Sequence, residues 1–322
     1  MYLSIQVTQL WEELKSNHLT KYGTVTAVTA ISLVLLRRWI AGGVCCCRVR
    51  LDGKTVIITG ANTGIGKETA CDLAMRGPVS CRFGDPWRST GNGNIVVRHL
   101  DLASLFSVRQ FVHEYTATED RLDILRVMMC PKSLTEDGYE TQFAVNHLGH
   151  FLLTVLLLDM LKKSSPSRIL NVSSIAHKGG KIHFDDLNFN KAPYDSLVSY
   201  RQSKLANLLF TRELAQRIKG SGVTVYSLHP GVIRTELGRY VQTSHPLLST
   251  LLSLPALLLM KTPSQGAQTS IYCAVTEGLE SHSGCYFSDC KLKEPAPEGK
   301  DDLAALRLWE ISAKLVGYHE EN

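Results

Sequence analysis

Short apolar runs alternate with amphipathic stretches along most of the chain. Residues 55–58 form the first apolar run, which is typical of a strand buried on both faces of a parallel sheet. Further strand-like runs follow at residues 96–102, 167–174 and 223–228, and helical patterns lie between them, including residues 67–74, 148–161 and 203–218. This alternation predicts an α/β fold: a doubly wound (Rossmann-type) parallel sheet with helices on both faces.

The first fifty residues have a different pattern. Residues 22–36 carry no charge and are mostly apolar or small, and Arg37 and Arg38 follow directly. These 15 residues fall short of the roughly 20 that span a bilayer as a helix, but snorkelling arginines can extend such a span. We therefore predict an N-terminal membrane anchor with its juxtamembrane segment over residues 1–50, and an α/β domain over residues 51–322.

Two alternatives to the anchor remain open, a buried helix and a cleaved signal peptide. The acidic pair Glu12 and Glu13 precedes the apolar run, unlike the basic start of a signal peptide. Basic residues are more frequent after the run than before it, which favours a domain in the cytosol. The endoplasmic reticulum is the expected membrane, with the mitochondrial inner membrane as the alternative.

Net charge and cysteine content indicate which partners and bound metals the chain is expected to have. The net charge of +5 is too small and scattered to indicate a nucleic-acid partner, but it suits an anionic membrane face. The chain has 9 cysteines, an odd number without a C-x-x-C pair, which argues against a disulfide framework and a zinc site. His147 and His150 have no third ligand at a suitable spacing, so no metal is expected.

A glycine-rich turn follows the first strand, in the order G-x-x-x-G-x-G, and a helical pattern begins at its end. Glycines let the backbone approach a pyrophosphate, and a helix N-terminus offers free N–H groups to it. The alternative is a glycine-rich turn without a ligand. The candidate cofactor residues in this turn are Gly60, Asn62, Thr63, Gly64, Ile65 and Gly66.

Tyr200 and Lys204 stand four residues apart in a helical pattern, so they share one helix face. An ammonium nearby favours the phenolate, so we expect Lys204 to lower the pKa of Tyr200 and make it a general acid or base near neutrality. Ser174 ends a predicted strand and is suited to hold a substrate carbonyl. Asn146 lies near the start of a long apolar helix.

The motifs TGANTGIGKETA, LDLAS, VNHLGHFLLT, SRILNVSS, YRQSKLANLLF and HPGVIRTEL occur in this order. Together they resemble the short-chain dehydrogenase/reductase family, and most closely its retinol dehydrogenase branch, types 11 to 14. The resemblance covers the chain from about Leu51 to about Val316. It implies NADP(H) as cofactor and a lipophilic substrate such as a retinoid, with hydroxysteroids or other carbonyl compounds as alternatives and a homodimer left open.

The resemblance also implies residue roles. Tyr200 would donate or accept the proton, Ser174 would polarise the carbonyl, and Lys204 would hold the nicotinamide ribose. Asn146 would hold a water that links Lys204 to solvent. The implied cofactor contacts are Gly60, Gly64 and Gly66 to the pyrophosphate, Asp101 to the adenine, Arg82 to the 2′-phosphate, and Pro230 and Gly231 beside the nicotinamide.

Two segments depart from the family pattern. Residues 77–88 are too few for both the second strand and the helix after it, and two prolines interrupt them. The family's Asn-Asn-Ala-Gly turn is missing, because Leu125 runs through Arg126 directly into Val127. A charged side chain in a buried strand is costly unless it is paired. The alternatives are therefore an active enzyme with a trimmed sheet, a folded but inactive relative, or a chain that folds poorly.

A strongly apolar segment runs from Leu247 to Leu259 and is interrupted by Pro255. It is too short to span a bilayer, but a lid of this kind would dip into a membrane surface and suit a lipid-soluble substrate. The alternative is an ordinary buried helix.

Overall fold

The structure, a computed structural model of the 322-residue chain, describes residues 2–77, 80–83, 95–127, 134–233 and 259–319. The helices are α1 Tyr2–Ala41, α2 Gly64–Met75, α3 Leu105–Thr118, α4 Thr141–Phe143, α5 Gly149–Lys163, α6 Ser196–Arg217, α7 Pro263–Val275 and α8 Asp302–Leu315. The strands are β1 Thr55–Ile58, β2 Ser80–Phe83, β3 Ile95–Val97, β4 Ile124–Val127, β5 Ser167–Val172, β6 Val223–His229, β7 Tyr286–Ser288 and β8 Lys291–Lys293. Of the predicted lid, only Leu259 lies within the described residues.

The strands form one sheet. Within the described ranges it has eight strands in the order β3-β2-β1-β4-β5-β6-β7-β8, and only the β7–β8 pair is antiparallel. The chain first extends the sheet from β1 toward β3, then crosses back to add β4 on the other side of β1. Ligands of such sheets bind at the carboxyl ends of the strands, beside this reversal. The predicted doubly wound fold is thereby confirmed.

The predicted elements are present with altered ends. The apolar run at residues 96–102 forms a strand only at its start, within Ile95–Val97. The helix predicted from Ser203 begins earlier, at Ser196, because the Asp195 carboxylate accepts hydrogen bonds from N–H groups of the first turn. Tyr200 and Lys204 therefore both lie inside α6.

The shortened segment after α2 still contains a strand. β2 pairs in parallel with both β1 and β3, and Arg82 stands opposite Ile57 and Val96. Four residues fill the position beside β1, and the strand includes Arg82, the predicted cofactor contact. Residues 84–94, where a helix would follow, lie outside the described residues.

The apolar core has one half on each face of the sheet. α3, α5, α6 and α8 cover one face, and α2 and α7 cover the other. Trp309 of α8 packs edge-on against Phe151, with ring centroids 4.9 Å apart, and is stacked against Phe210. The Arg217 guanidinium lies 4.3 Å from the Trp309 ring centroid. These contacts hold α8 against the helices that carry the candidate site.

We expect Trp309→Ala to lower the free energy of unfolding by about 3–5 kcal/mol, because it empties a packed aromatic site. A denaturant titration of the detergent-solubilised chain measures this loss. Leu303→Ala on the same helix is the matched control, since Leu303 is 81% exposed. Equal effects of the two substitutions would show that α8 does not stabilise the core.

The apolar segment near the N-terminus lies in a long helix. α1 contains a candidate span, Tyr22–Ala41, of 20 residues with a mean hydropathy of 1.4 and no residue of it buried inside the fold. The helix continues past Arg37 and Arg38 to Ala41, so the 20-residue span includes both arginines, as the expected snorkelling permits. The exposure of these residues excludes the buried-helix alternative, while a signal sequence would have the same length and composition.

Candidate active site

The glycine turn after β1 permits close backbone approach. Gly60 and Gly64 have φ angles of 61° and 58°, in the left-handed region that glycine adopts without strain. A Cβ atom on Gly66 would collide with the Gly60 carbonyl oxygen and lie 3.0 Å from the Ala61 Cα atom. The first turn of α2 therefore packs on the loop only because residue 66 has no side chain.

This turn leads directly into the N-terminus of α2. The N-cap residue Thr63 makes no side-chain hydrogen bond to the first turn, where unpaired N–H groups and the helix dipole favour an anion. A cleft of about 160 Å³ lies beside the turn. It is lined by Ile57, Ile58, Thr59, Gly60, Ala61, Asn62, Arg98, Leu100, Leu102 and Phe111. These features fit the pyrophosphate of a dinucleotide, with the buried Ile65 offering only its backbone.

Asp101 and Arg82 are the two residues predicted to contact the adenosine half of the cofactor. Asp101 is exposed between the cleft residues Leu100 and Leu102, and its Oδ1 atom accepts a hydrogen bond from the Ala103 N–H at 2.9 Å. Arg82 has a defined backbone position in β2. Its predicted side-chain contact with the 2′-phosphate lies outside what the structure describes.

Tyr200, Ser174 and Lys204 meet where β5 ends beside α6. The Ser174 hydroxyl lies close enough to Tyr200 to lower the pKa of its phenol. The Lys204 Nζ atom lies 5.6 Å from the Tyr200 ring centroid and donates a hydrogen bond to the Val172 carbonyl oxygen at 3.2 Å. The arrangement combines a hydroxyl pair with a buried ammonium one helical turn away.

The pKa of Tyr200 shifts in the opposite direction from the sequence-based expectation. Burial raises the pKa of Tyr200, and the hydrogen bond from Ser174 offsets part of that rise. The Lys204 ammonium is itself fully buried, and desolvation, with a smaller contribution from the Arg126 charge, lowers its pKa to about 8. Tyr200 is therefore a protonated phenol at neutral pH, which suits a proton donor.

Asn146 lies in the π-helical turn Ala144–Leu148, between α4 and α5. Single π-helical turns are frequent at functional sites. The Asn146 side-chain amide donates to the Ser203 hydroxyl at 2.9 Å, while its Oδ1 atom is buried and has no protein partner in the described part of the chain. A buried acceptor of this kind fits the predicted water molecule.

The histidines beside Asn146 have structural partners. His147 bonds through Nε2 to the Ser312 hydroxyl at 2.8 Å, and His150 bonds to the Thr59 hydroxyl at 3.3 Å and to the Asn146 carbonyl oxygen. Burial lowers the pKa of each to about 3, so both rings are neutral. His150 thus ties the glycine turn to the helix that carries Asn146.

The loop after β6 contains the predicted contacts Pro230 and Gly231 and packs against Lys261, which the sequence did not single out. Gly231, with φ 98°, lies so close to Lys261 that an added Cβ atom would be 2.6 Å from the lysine Cδ atom. The His229 Nδ1 atom accepts hydrogen bonds from the N–H groups of Ile175 and Gly231. His229 therefore links the loop after Ser174 to Pro230 and Gly231. The HPG motif marks His229, but no local pattern marks Lys261.

Arg126 occupies the end of β4, where the family's turn would begin. It stands between Ile58 and Leu170 in the sheet and is fully buried. Desolvation lowers the pKa of Arg126 to about 9, so it remains a cation at neutral pH. Its backbone carbonyl oxygen accepts from the Thr59 N–H at 2.8 Å, which fastens β4 to the glycine turn. A second buried charge thus lies within electrostatic range of Lys204.

Fold and site together define a class of protein. Residues 54–245 match the family model of short chain dehydrogenases, and this chain belongs to that family of oxidoreductases. It lies in the retinol dehydrogenase branch. Retinol dehydrogenase 13 of Homo sapiens is 50% identical over 315 residues, covering 93% of this chain and 94% of that protein. Retinol dehydrogenase 11 of Mus musculus is 50% identical over 297 residues, covering 88% and 92%.

Solved structures share the architecture. A putative uncharacterized protein from Mycobacterium Paratuberculosis superposes with a TM-score of 0.69 at 31% identity, covering 87% of this chain and 100% of that one. The Pseudomonas aeruginosa RhlG/NADP active-site complex superposes with a TM-score of 0.57 at 22% identity, covering 74% and 95%. The second similarity concerns the fold alone.

Proposed function

We propose that this chain is an NADP(H)-dependent oxidoreductase that interconverts retinol and retinal, or a related lipophilic alcohol and aldehyde. The observation that carries the proposal is the meeting of Ser174, Tyr200 and the buried Lys204 at the strand ends next to the glycine turn. Retinol dehydrogenases that share half of its residues support the substrate class.

Residues of the chain itself donate the proton and replace it. In reduction, the carbonyl oxygen takes a place between the Ser174 and Tyr200 hydroxyl groups, and Tyr200 donates its proton to that oxygen. NADPH, when bound, supplies the hydride. Lys204 holds the nicotinamide ribose, and Asn146 holds a water molecule that returns protons from solvent. The Gly60–Gly66 turn holds the pyrophosphate, and Arg82 the 2′-phosphate that distinguishes NADPH from NADH.

The same proposal includes α1 as a membrane anchor, with the α/β domain on the cytosolic side of the endoplasmic reticulum. Support comes from the length and exposure of Tyr22–Ala41. Alkaline carbonate should leave the chain in the membrane pellet, and protease added to sealed microsomes should remove the domain. Release by carbonate would contradict the anchor.

An assay of microsomal membranes that carry the full chain tests the proposed activity. We expect reduction of all-trans-retinal with NADPH, slower reduction with NADH, and a lower kcat/KM for a 3-ketosteroid. A preference for the steroid would move the substrate to the hydroxysteroid class. Turnover of neither substrate by membranes in which the folded chain is present would contradict the proposal.

The charge on Lys204 predicts a pH dependence. Since its pKa is lowered to about 8, the ammonium is lost as the pH rises through that value, and kcat/KM for reduction should fall there. Arg126→Leu removes a neighbouring positive charge, so the pKa of Lys204 should rise and the falling limb should move to higher pH. Arg126→Lys keeps a charge in this strand and is the matched control. An unmoved limb in Arg126→Leu would show that Arg126 does not act on Lys204.

Arg126 also favours a second candidate function, a relative that binds the cofactor without turnover. Its buried charge stands where the family has a turn at the cofactor ribose, beside the lysine proposed to hold that ribose. NADPH binding, measured through the quenching of tryptophan fluorescence, distinguishes the active enzyme from the relative that binds the cofactor without turnover. Binding without retinal reduction in the wild-type chain, with reduction appearing in Arg126→Leu, would establish the second one.

A further inference from the structure

The end of the anchor helix is docked on the catalytic side of the fold. Gly42 and Gly43, directly after α1, pack against the turn between β7 and β8. A Cβ atom on Gly42 would lie 2.5 Å from Lys261 Nζ, and one on Gly43 would collide with the Asp289 carbonyl oxygen. Within the last turns of α1, the Arg37 guanidinium donates a hydrogen bond at 2.8 Å to the side chain of Gln265, at the start of α7.

Lys261 connects this docking point to the nicotinamide loop. Its Nζ atom pairs with the Asp289 carboxylate at 2.5 Å, and its Cδ atom lies beside Gly231. Lys261 is buried, and Asp289 is held by Ser288 as well. The exit of α1 and the loop proposed to flank the nicotinamide are therefore separated by the length of one lysine side chain.

The length of the anchor places the contact of Gly42 and Gly43 with the fold close to the surface of a bilayer. The uncharged part of α1, residues 22–36, is about 22 Å long as a helix, which is less than the roughly 30 Å hydrocarbon core. Arg37, which touches α7, must then lie in the headgroup region of any membrane that α1 spans.

Apolar side chains are exposed along these strand ends. Ile175 follows β5, Val232 follows β6, Leu292 follows the turn after β7, and Leu259 precedes Lys261, which pairs with Ile233. Their exposed fractions lie between 48% and 57%. We call Ile175, Val232, Leu259 and Leu292 the carboxyl rim. Lys291 and Lys293 flank Leu292 on the exposed strand β8.

We propose that the carboxyl rim rests in the headgroup layer of the lipid bilayer, so that a lipophilic substrate reaches Tyr200 from the membrane. The inference rests on the proposed anchoring by α1. The rim residue Leu292 follows the turn on which Gly42 and Gly43 pack, and Lys291 and Lys293 beside it complement anionic headgroups. A water-soluble substrate would then have to reach Tyr200 from the aqueous side, past the edge of the contact between the rim and the bilayer.

Photocrosslinking of the full chain in vesicles tests this contact. The probe is a benzoylphenylalanine residue at position 292 or 232, and the vesicles carry an alkyne-tagged phosphatidylcholine. Position 75 is the control, because Met75 is 73% exposed at the end of α2 that is farthest from the glycine turn. We expect lipid adducts from positions 292 and 232 and essentially none from position 75.

Lipid composition provides a second readout. Lys291→Glu should reduce lipid adducts from position 232 by about fivefold in vesicles with phosphatidylserine, and little in pure phosphatidylcholine. Equal adducts from the rim and from position 75, or adducts with a second copy of the chain instead of lipid, would overturn the proposal. Crosslinking needs no turnover, so the Tyr200→Phe variant gives the same pattern, and failure of the proposed reaction remains distinguishable from failure of the rim contact.

Discussion

Replacement of Tyr200 by Phe is expected to lower kcat for retinal reduction by about 10²–10⁴-fold, the range that a positioned proton donor contributes. The ring and its packing on α6 are kept, and only the hydroxyl whose pKa Ser174 lowers is removed. The Lys204 ammonium then has no phenol to act on. Steady-state kinetics in membranes, with NADPH saturating, measures the loss.

A matched variant separates chemistry from folding. Tyr194→Phe removes a hydroxyl of the same kind that bonds to Gln142 and Glu140, before the start of α6. It should leave kcat nearly unchanged. NADPH affinity should be similar in Tyr200→Phe and in the wild type. A Tyr200→Phe chain that retains full kcat would exclude Tyr200 as the proton donor, whatever its distance from the cofactor.

The second large effect is expected from Gly66→Val. Its side chain would collide with the Gly60 carbonyl oxygen and the Ala61 backbone, which cannot move as a flexible side chain can. The turn must open or α2 must shift, and the N–H groups proposed to hold the pyrophosphate lose their arrangement. We expect NADPH binding to be lost at concentrations that saturate the wild type, measured by quenching of tryptophan fluorescence.

Gly23→Ala is the control for the glycine change. Residue 23 lies in α1 with nothing within 4 Å of an added Cβ atom, so this helical position should accept alanine. A thermal transition recorded for Gly66→Val distinguishes a closed cofactor site from an unfolded chain. Wild-type NADPH affinity in folded Gly66→Val would contradict the proposed role of the turn.

The sequence predicted the fold because its signals are local. The apolar run before Gly60 and the Tyr200–Lys204 spacing depend only on neighbouring residues, and the structure has β1 and α6 at these places. The sequence did not predict β7, β8 and α7. Their sequences are short or mixed in polarity, and they are held by pairing with β6 and by packing on α2.

The site was predicted less completely, since some of its features arise only in three dimensions. Burial outweighs the hydroxyl hydrogen bond in setting the pKa of Tyr200, and burial cannot be read from a four-residue spacing. Lys261 reaches Gly231, Gly42 and Asp289, which are distant in sequence. Arg126 was recognised as unexpected in a strand, but its influence on Lys204 follows from the pairing of β4 with β5, whose Val172 accepts a hydrogen bond from Lys204.

Transfer of deuterium from NADPH that carries deuterium at both C4 positions of the nicotinamide to all-trans-retinal tests the central claim most directly. Membranes that carry the wild-type chain should produce deuterated retinol, and membranes that carry Tyr200→Phe should produce almost none at equal protein. The contradicting result is unlabelled product, or no retinol at all, from a wild-type chain that is folded and binds NADPH.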